Sequence, residues 1–185
     1  MSELKPLTIS DLLGKQFFIR HYQRGYRWIK QQVELLLEDI DSFNPQELKS
    51  DKTKKTFYCL QPVVLKKLKT DSITDSKLEG NWYEVIDGQQ RLTTIYLILQ
   101  YINEFWTGRQ KKEKFRIDYE TRDNCVEFLA NIKVNDDEIN VDINKDNIDF
   151  YHISKAYQTI RNWEIDYEKN HDQKKLDNTT FQTKF

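Results

Sequence analysis

The octet Asp87-Gly88-Gln89-Gln90-Arg91-Leu92-Thr93-Thr94 gathers an acid, a glycine, two amides, an arginine and two hydroxyls. It follows the strand-like run Trp82-Tyr83-Glu84-Val85-Ile86 and opens a stretch in which Leu92, Ile95, Leu99, Ile102 and Phe105 recur at helical spacing. The pattern predicts a strand that turns directly into a helix. A helix start leaves several N–H groups unpaired and carries roughly half a positive charge, so it suits a phosphate. Gly88 lets a ligand approach the backbone closely. Arg91 can give two parallel hydrogen bonds to phosphate oxygens, and Thr93 and Thr94 add hydroxyl donors. Asp87 can hold magnesium through water or orient an attacking water, and Gln89 or Gln90 can orient water or ligand. Phosphoryl transfer asks mainly for such positioning and charge stabilisation. Asp87, Gln90 and Arg91 are therefore the catalytic candidates, and Gly88, Gln89, Thr93 and Thr94 the nucleotide-binding ones. A structural reading fits the same residues: Asp87 as helix N-cap, with Gln90 completing a capping box.

A second cluster, Tyr22-Gln23-Arg24-Gly25-Tyr26-Arg27-Trp28, combines aromatic rings, guanidinium groups and an amide ahead of another helical pattern. Planar groups of this kind stack on bases and grip phosphates. Arg24 is the nucleotide-binding candidate here, and Tyr22, Gln23 and Arg27 are candidates for contact with a base or with DNA. The alternative is a loop whose Tyr26 and Trp28 plug the core while its arginines face water. No Walker loop, HExxH motif or nucleophilic triad spacing is present. Cys59 and Cys125, with His21, His152 and His171, lack zinc-site spacing and read as buried thiols and scattered histidines. The metal expected is magnesium at Asp87.

The elements that must hold these clusters are legible in outline. Phe17-Phe18-Ile19-Arg20 reads as a strand, and Ile29, Val33, Leu36, Leu37, Ile40 and Phe43 as one helix face. Asn44 to Thr56 reads as a lysine-rich loop, with Phe57 to Leu60 and Val63 to Leu65 as strands interrupted at Pro62. Thr70 to Gly80 reads as a hairpin loop and Phe115 to Tyr119 as a strand. Helices are expected near Cys125–Ile132 and from Ile148 to about Tyr167, before a polar tail. Thirteen Lys/Arg against eight Asp/Glu before Asp71 make the first third basic, while the formal net charge of -1 gives no nucleic-acid signature for the whole chain. No run is apolar enough to span a bilayer, no signal peptide opens the chain, and a cytoplasmic protein is expected.

Together, Phe18-Ile19, Tyr22-Gln23-Arg24, Tyr26, Trp28, Leu36, Asp39-Ile40 and Val85 through Thr94 resemble the N-terminal domain of GmrSD restriction proteins. The resemblance implies an α+β fold: a ParB/sulfiredoxin-like small mixed sheet with packed helices, then a mainly helical C-terminal part. The domain reading is a nucleotide-handling core over 1–110, a helical extension packed on it over 111–168, and a polar tail over 169–185 that ends a fragment. The resemblance implies binding and hydrolysis of a nucleoside triphosphate, alongside a nuclease domain, in the same or a partner chain, that cuts modified foreign DNA. Asp87 through Arg91 match the family's nucleotide motif, and Tyr22, Gln23 and Arg24 its companion signature. Nothing in this chain reads as the nuclease. Two positions depart from the family pattern, Arg20 where proline is usual and Gln61-Pro62 where glycine often follows. The competing expectation is a DNA-binding or modification-sensing module without turnover.

Overall fold

The computed structural model describes residues 7–68, 80–105, 113–135 and 139–171. It is α+β, with a small mixed sheet and four helices, and divides into two units, 1–27 with 63–133 and 28–62 with 134–185.

The first unit is built on β1 (Gln16–Ile19), β4 (Val64–Lys67), β5 (Trp82–Asp87) and β6 (Arg116–Tyr119), in the order β4-β5-β1-β6. β1 runs parallel to both β5 and β6, whereas β4 is antiparallel to β5. Phe17 lies level with Tyr83 and Ile117, and Phe18 with Glu84 and Asp118. Side chains alternate across a sheet, so this register sorts the strands into two faces. Phe17, Val85, Ile117 and Tyr119 share one face, covered by α2 (Gln89–Phe105) and α3 (Cys125–Asn131). Phe115 joins the layers there, edge-on to Phe17 at 5.4 Å and to Tyr96 at 5.7 Å. On the other face Phe18 meets Trp82 edge-on at 6.3 Å beside Leu68. Arg20 and Arg116 lay their guanidinium groups over those rings, at 5.1 and 5.2 Å.

The periodicity of α2 points to a single apolar stripe, but the helix is buried around its circumference, with Thr93, Thr94, Leu97, Ile98 and Tyr101 enclosed as well. Threonine can be enclosed where its hydroxyl bonds within the fold, and both do. β6 comes from the segment read as a helical extension, yet it is an outer strand of the core sheet. α3 begins after Asn124, whose φ of 61° is a left-handed turn that asparagine tolerates.

In the second unit α1 (Lys30–Ser42) packs on α4 (Ile148–His171). Val33, Leu36, Leu37 and Ile40 of α1 are buried, as are Ile153, Ala156, Tyr157 and Ile160 of α4. Asn147 starts α4 as an N-cap, its Oδ1 accepting the Asp149 N–H at 2.8 Å and the Phe150 N–H at 3.2 Å. The lysine-rich stretch is not all loop: β2 (Glu47–Leu48) and β3 (Asp51–Lys55) form a hairpin. Its strands carry no apolar alternation, the signal by which strands are read. Asp51 Oδ1 shapes the turn by accepting from the Thr53 N–H at 3.0 Å and hydroxyl at 2.6 Å. Phe57 to Leu60, expected as a strand, is irregular; Gln61 at φ 65° followed by Pro62 breaks any ladder there. Tyr58 instead anchors to α1, donating to Asp39 at 2.9 Å and meeting Phe43 at 5.8 Å. Cys59 is exposed, unlike the buried thiol expected, and Cys125 is buried. Most of the Thr70–Gly80 hairpin loop and the end of the tail lie outside the described residues.

Candidate functional site

Because β1, β5 and β6 are parallel, their carboxyl ends reach the same edge of the sheet. Open α/β sheets bind ligands beyond such ends, where the connecting segments diverge. Three segments leave this edge: the Arg20–Arg27 loop after β1, the turn into α2 after β5, and Glu120–Asn124 after β6.

The strand-to-helix turn forms as the sequence predicts, and its detail separates the two readings of Asp87. Gly88 has φ 89°, a conformation that side chains disfavour, and its carbonyl accepts the Leu92 N–H at 3.0 Å. That bond makes Gly88, rather than Asp87, the N-cap of α2. The Asp87–Gln90 capping box does not form, because the Gln90 amide reaches across to the other motif. Gln90 Nε2 donates to Gly25 O at 2.9 Å, and its Oε1 accepts the Arg27 N–H at 2.8 Å. Gln89 Nε2 donates to Arg24 O at 2.6 Å. In the opposite direction Gln23 Nε2 donates to Val85 O. Three amides thus lace two motifs that lie more than sixty residues apart in sequence. Tyr26, fully enclosed, completes the seam through a 2.9 Å hydrogen bond between its hydroxyl and Thr94 Oγ1.

The remaining candidates differ in what they can reach. Asp87 and Arg24 are exposed at the edge, and neither side chain has a hydrogen bond or ion pair among the described residues. Arg91 is half-buried in the first turn of α2. Thr93 and Thr94 are fully enclosed; Thr93 shares a 2.9 Å hydrogen bond with the Tyr119 hydroxyl, and Thr94 donates to Gln90 O at 2.9 Å. Arg27 Nη1 returns to its neighbour's carbonyl, Tyr26 O, at 2.6 Å. Tyr22 is 60% exposed and its ring is open to stacking.

Gln89 has an oxygen that the fold leaves without a donor. Gln89 is 8% exposed, and its Oε1 is enclosed with no hydrogen-bond partner among the described residues. The amide cannot flip to relieve this, because Arg24 O only accepts and so requires the nitrogen. An enclosed acceptor without a donor costs about 1–3 kcal/mol.

Sequence reading missed a charged cluster on the same edge. Arg20 lies 3.1 Å from Glu120 Oε1 and 3.8 Å from Glu84 Oε1, joining the ends of β1 and β6 to the middle of β5. The Tyr22 hydroxyl donates to Glu84 at 2.7 Å, and the His21 N–H and ring nitrogen each lie 2.7 Å from Glu120 Oε2. Partial burial would raise the Glu120 pKa, but the His21 and Arg20 donors outweigh it and hold the carboxyl below its ordinary value. The bond to Glu84, with some burial, pushes the Tyr22 hydroxyl up. A signal existed: an acid at Glu84 inside an apolar strand, and Arg20 standing where the family pattern has proline. Among the described residues no three His, Cys, Asp or Glu gather as a metal site, so an ion at Asp87 would complete its shell from water and phosphate.

Against known families, residues 9–184 match the GmrSD restriction endonuclease, N-terminal domain. No curated protein matches the chain.

Proposed function

The chain belongs to the family of GmrSD restriction endonuclease N-terminal domains, and from that premise we propose that it binds and hydrolyses a nucleoside triphosphate at the Asp87–Arg91 turn. The observation that carries this reading is the start of a long helix, opened by a positive-φ glycine at the shared end of three parallel strands and flanked by the Arg24 guanidinium, which has no partner among the described residues.

The first N–H groups of α2 take phosphate oxygens, and Arg24 and Arg91 neutralise their charge. Asp87 orients the attacking water or holds magnesium through water, and the ion when bound would offset phosphate charge. Gln90 acts through the loop it laces rather than on water. Gln23, Thr93 and Thr94 likewise keep the two motifs in register, while the exposed Tyr22 ring stacks a base. In this proposal the core is ParB/sulfiredoxin-like, the protein works in the cytoplasm, and it serves a nuclease domain, in the same or a partner chain, that acts on modified DNA. A second reading, DNA binding without turnover, draws on the exposed Lys52, Lys54 and Lys55 of β3 beside Phe57, which is 73% exposed. Arg27 would then contact phosphate, and binding would weaken steeply with salt.

The deciding experiment is a thermal-shift screen with ATP, GTP, CTP and UTP, with and without magnesium, followed by phosphate release. A nucleotide-specific rise in melting temperature is expected, abolished in Arg91→Ala and weakened about tenfold or more in affinity in Arg24→Ala. No rise with any nucleotide overturns the reading in favour of DNA binding.

A further inference from the structure

We infer that the ligand of this site presents a hydrogen-bond donor, a sugar hydroxyl or an exocyclic base amine, to Gln89 Oε1, so that Gln89 reads the nucleoside while the helix start reads the phosphates. The inference rests on the nucleotide reading above and narrows it.

The contrast with the neighbouring residue carries the argument. Gln90 has both ends of its amide engaged by the Gly25 and Arg27 backbone, so the fold accounts for it completely. Gln89 has one end engaged, by Arg24 O, and the other enclosed with no donor among the described residues. The nitrogen is fixed in place by a carbonyl that can only accept, so the vacant end is always an acceptor. A phosphate oxygen is also an acceptor and would be repelled there. What completes Gln89 is an O–H or N–H of a group attached to the phosphates that sit at the same helix start. The oxygen is shut off from water, so a ligand lacking that donor leaves it unpaired and is selected against. Reaching it asks the exposed Arg24 side chain to move aside while the Arg24 carbonyl keeps its bond to the amide.

The test is calorimetric titration of the full chain, wild type and Gln89→Met, with magnesium throughout. The ligands are the tightest-binding of the four ribonucleoside triphosphates, its 2′-deoxy and 3′-deoxy forms, a form lacking the base amine, and inorganic tripolyphosphate. The wild type is expected to favour the parent nucleotide over one donor-deleted form by about tenfold. Which form loses affinity tells hydroxyl from amine. In Gln89→Met that ratio falls to near one, and tripolyphosphate affinity reports separately any loosening of the Arg24 segment. Because the ratio compares two ligands on one protein, a general loosening of the loop cancels from it; Gln89→Asn, expected to behave alike, stands in should the methionine variant not fold. A wild type indifferent to every deletion, or a ratio that survives in the variants, overturns the inference. Failure of the wild type to bind any nucleotide overturns the nucleotide reading itself, and this inference with it.

Discussion

Replacing Gln90 with Leu keeps the apolar volume of the side chain but removes the acceptor of the Arg27 N–H and the donor to Gly25 O. Both backbone groups lie in a partly or fully buried loop, so two polar groups lose their partners at once. The expected cost is about 3 kcal/mol, at the level of one to two unsatisfied buried groups. It is read as a lower urea midpoint at unchanged slope, and any nucleotide-induced rise in melting temperature should vanish with it. An unchanged midpoint would show that the lacing holds nothing. Residue types were legible in the sequence at this scale, but their tasks were not. The partners of Gln89 and Gln90 lie in a loop that no local pattern connects to them, and the octet looks equally functional along its length. Only the fold separates Thr93 and Thr94, enclosed with their hydroxyls bonded internally, from Asp87 and Arg24, which face outward.

The start of α2 is where element geometry decides between a cap and a ligand site. With Gly88 as N-cap, Asp87→Ala removes no cap, and its effect on the urea midpoint should stay within about 0.5 kcal/mol. The magnesium dependence of nucleotide binding should weaken in the same variant. Gly88→Ala should do the reverse, because φ 89° forces a side chain into a conformation costing about 1–2 kcal/mol. A loss of about 1 kcal/mol in Asp87→Ala with nucleotide binding untouched would restore the capping reading. Strong apolar periodicity made β1, β5, α1, α2 and α4 visible beforehand. The β2–β3 hairpin was invisible because its residues are charged on both sides and its turn depends on Asp51 and Thr53. The Phe57–Leu60 run misled for the converse reason, since its aromatic residues anchor a loop to α1 rather than a ladder.

Across the whole molecule, stability should be bounded from both sides of the pH scale by groups whose ionisation differs between folded and unfolded chains. Glu120 ties the end of β6 to Arg20 and His21, and its folded pKa lies below the ordinary 4.5. A lowered carboxyl stabilises the fold above its unfolded pKa, and that contribution is lost as pH falls through the folded value. Asp51, held down by its bonds to Thr53, acts in the same direction. On the alkaline side burial, with the charge of Asp118 nearby, pushes the Cys125 thiol from 9.0 up to about 12. Burial likewise raises Tyr26 and Tyr119 above the ordinary value of 10.0. For these groups the stabilisation is complete below the unfolded pKa and is lost as pH rises from there toward the folded one. Urea midpoints of wild type and Glu120→Gln should therefore differ above the ordinary carboxyl value of 4.5 and converge as pH falls below it through the lowered folded value. Those of wild type and Cys125→Ala should keep a constant gap to about pH 8.5, the cavity left by the thiol, and close on one another above it. A Glu120→Gln curve parallel to wild type through the acid limb would mean that the strand ends are not tied by that carboxylate. The site would then owe its shape to the amide lacing alone.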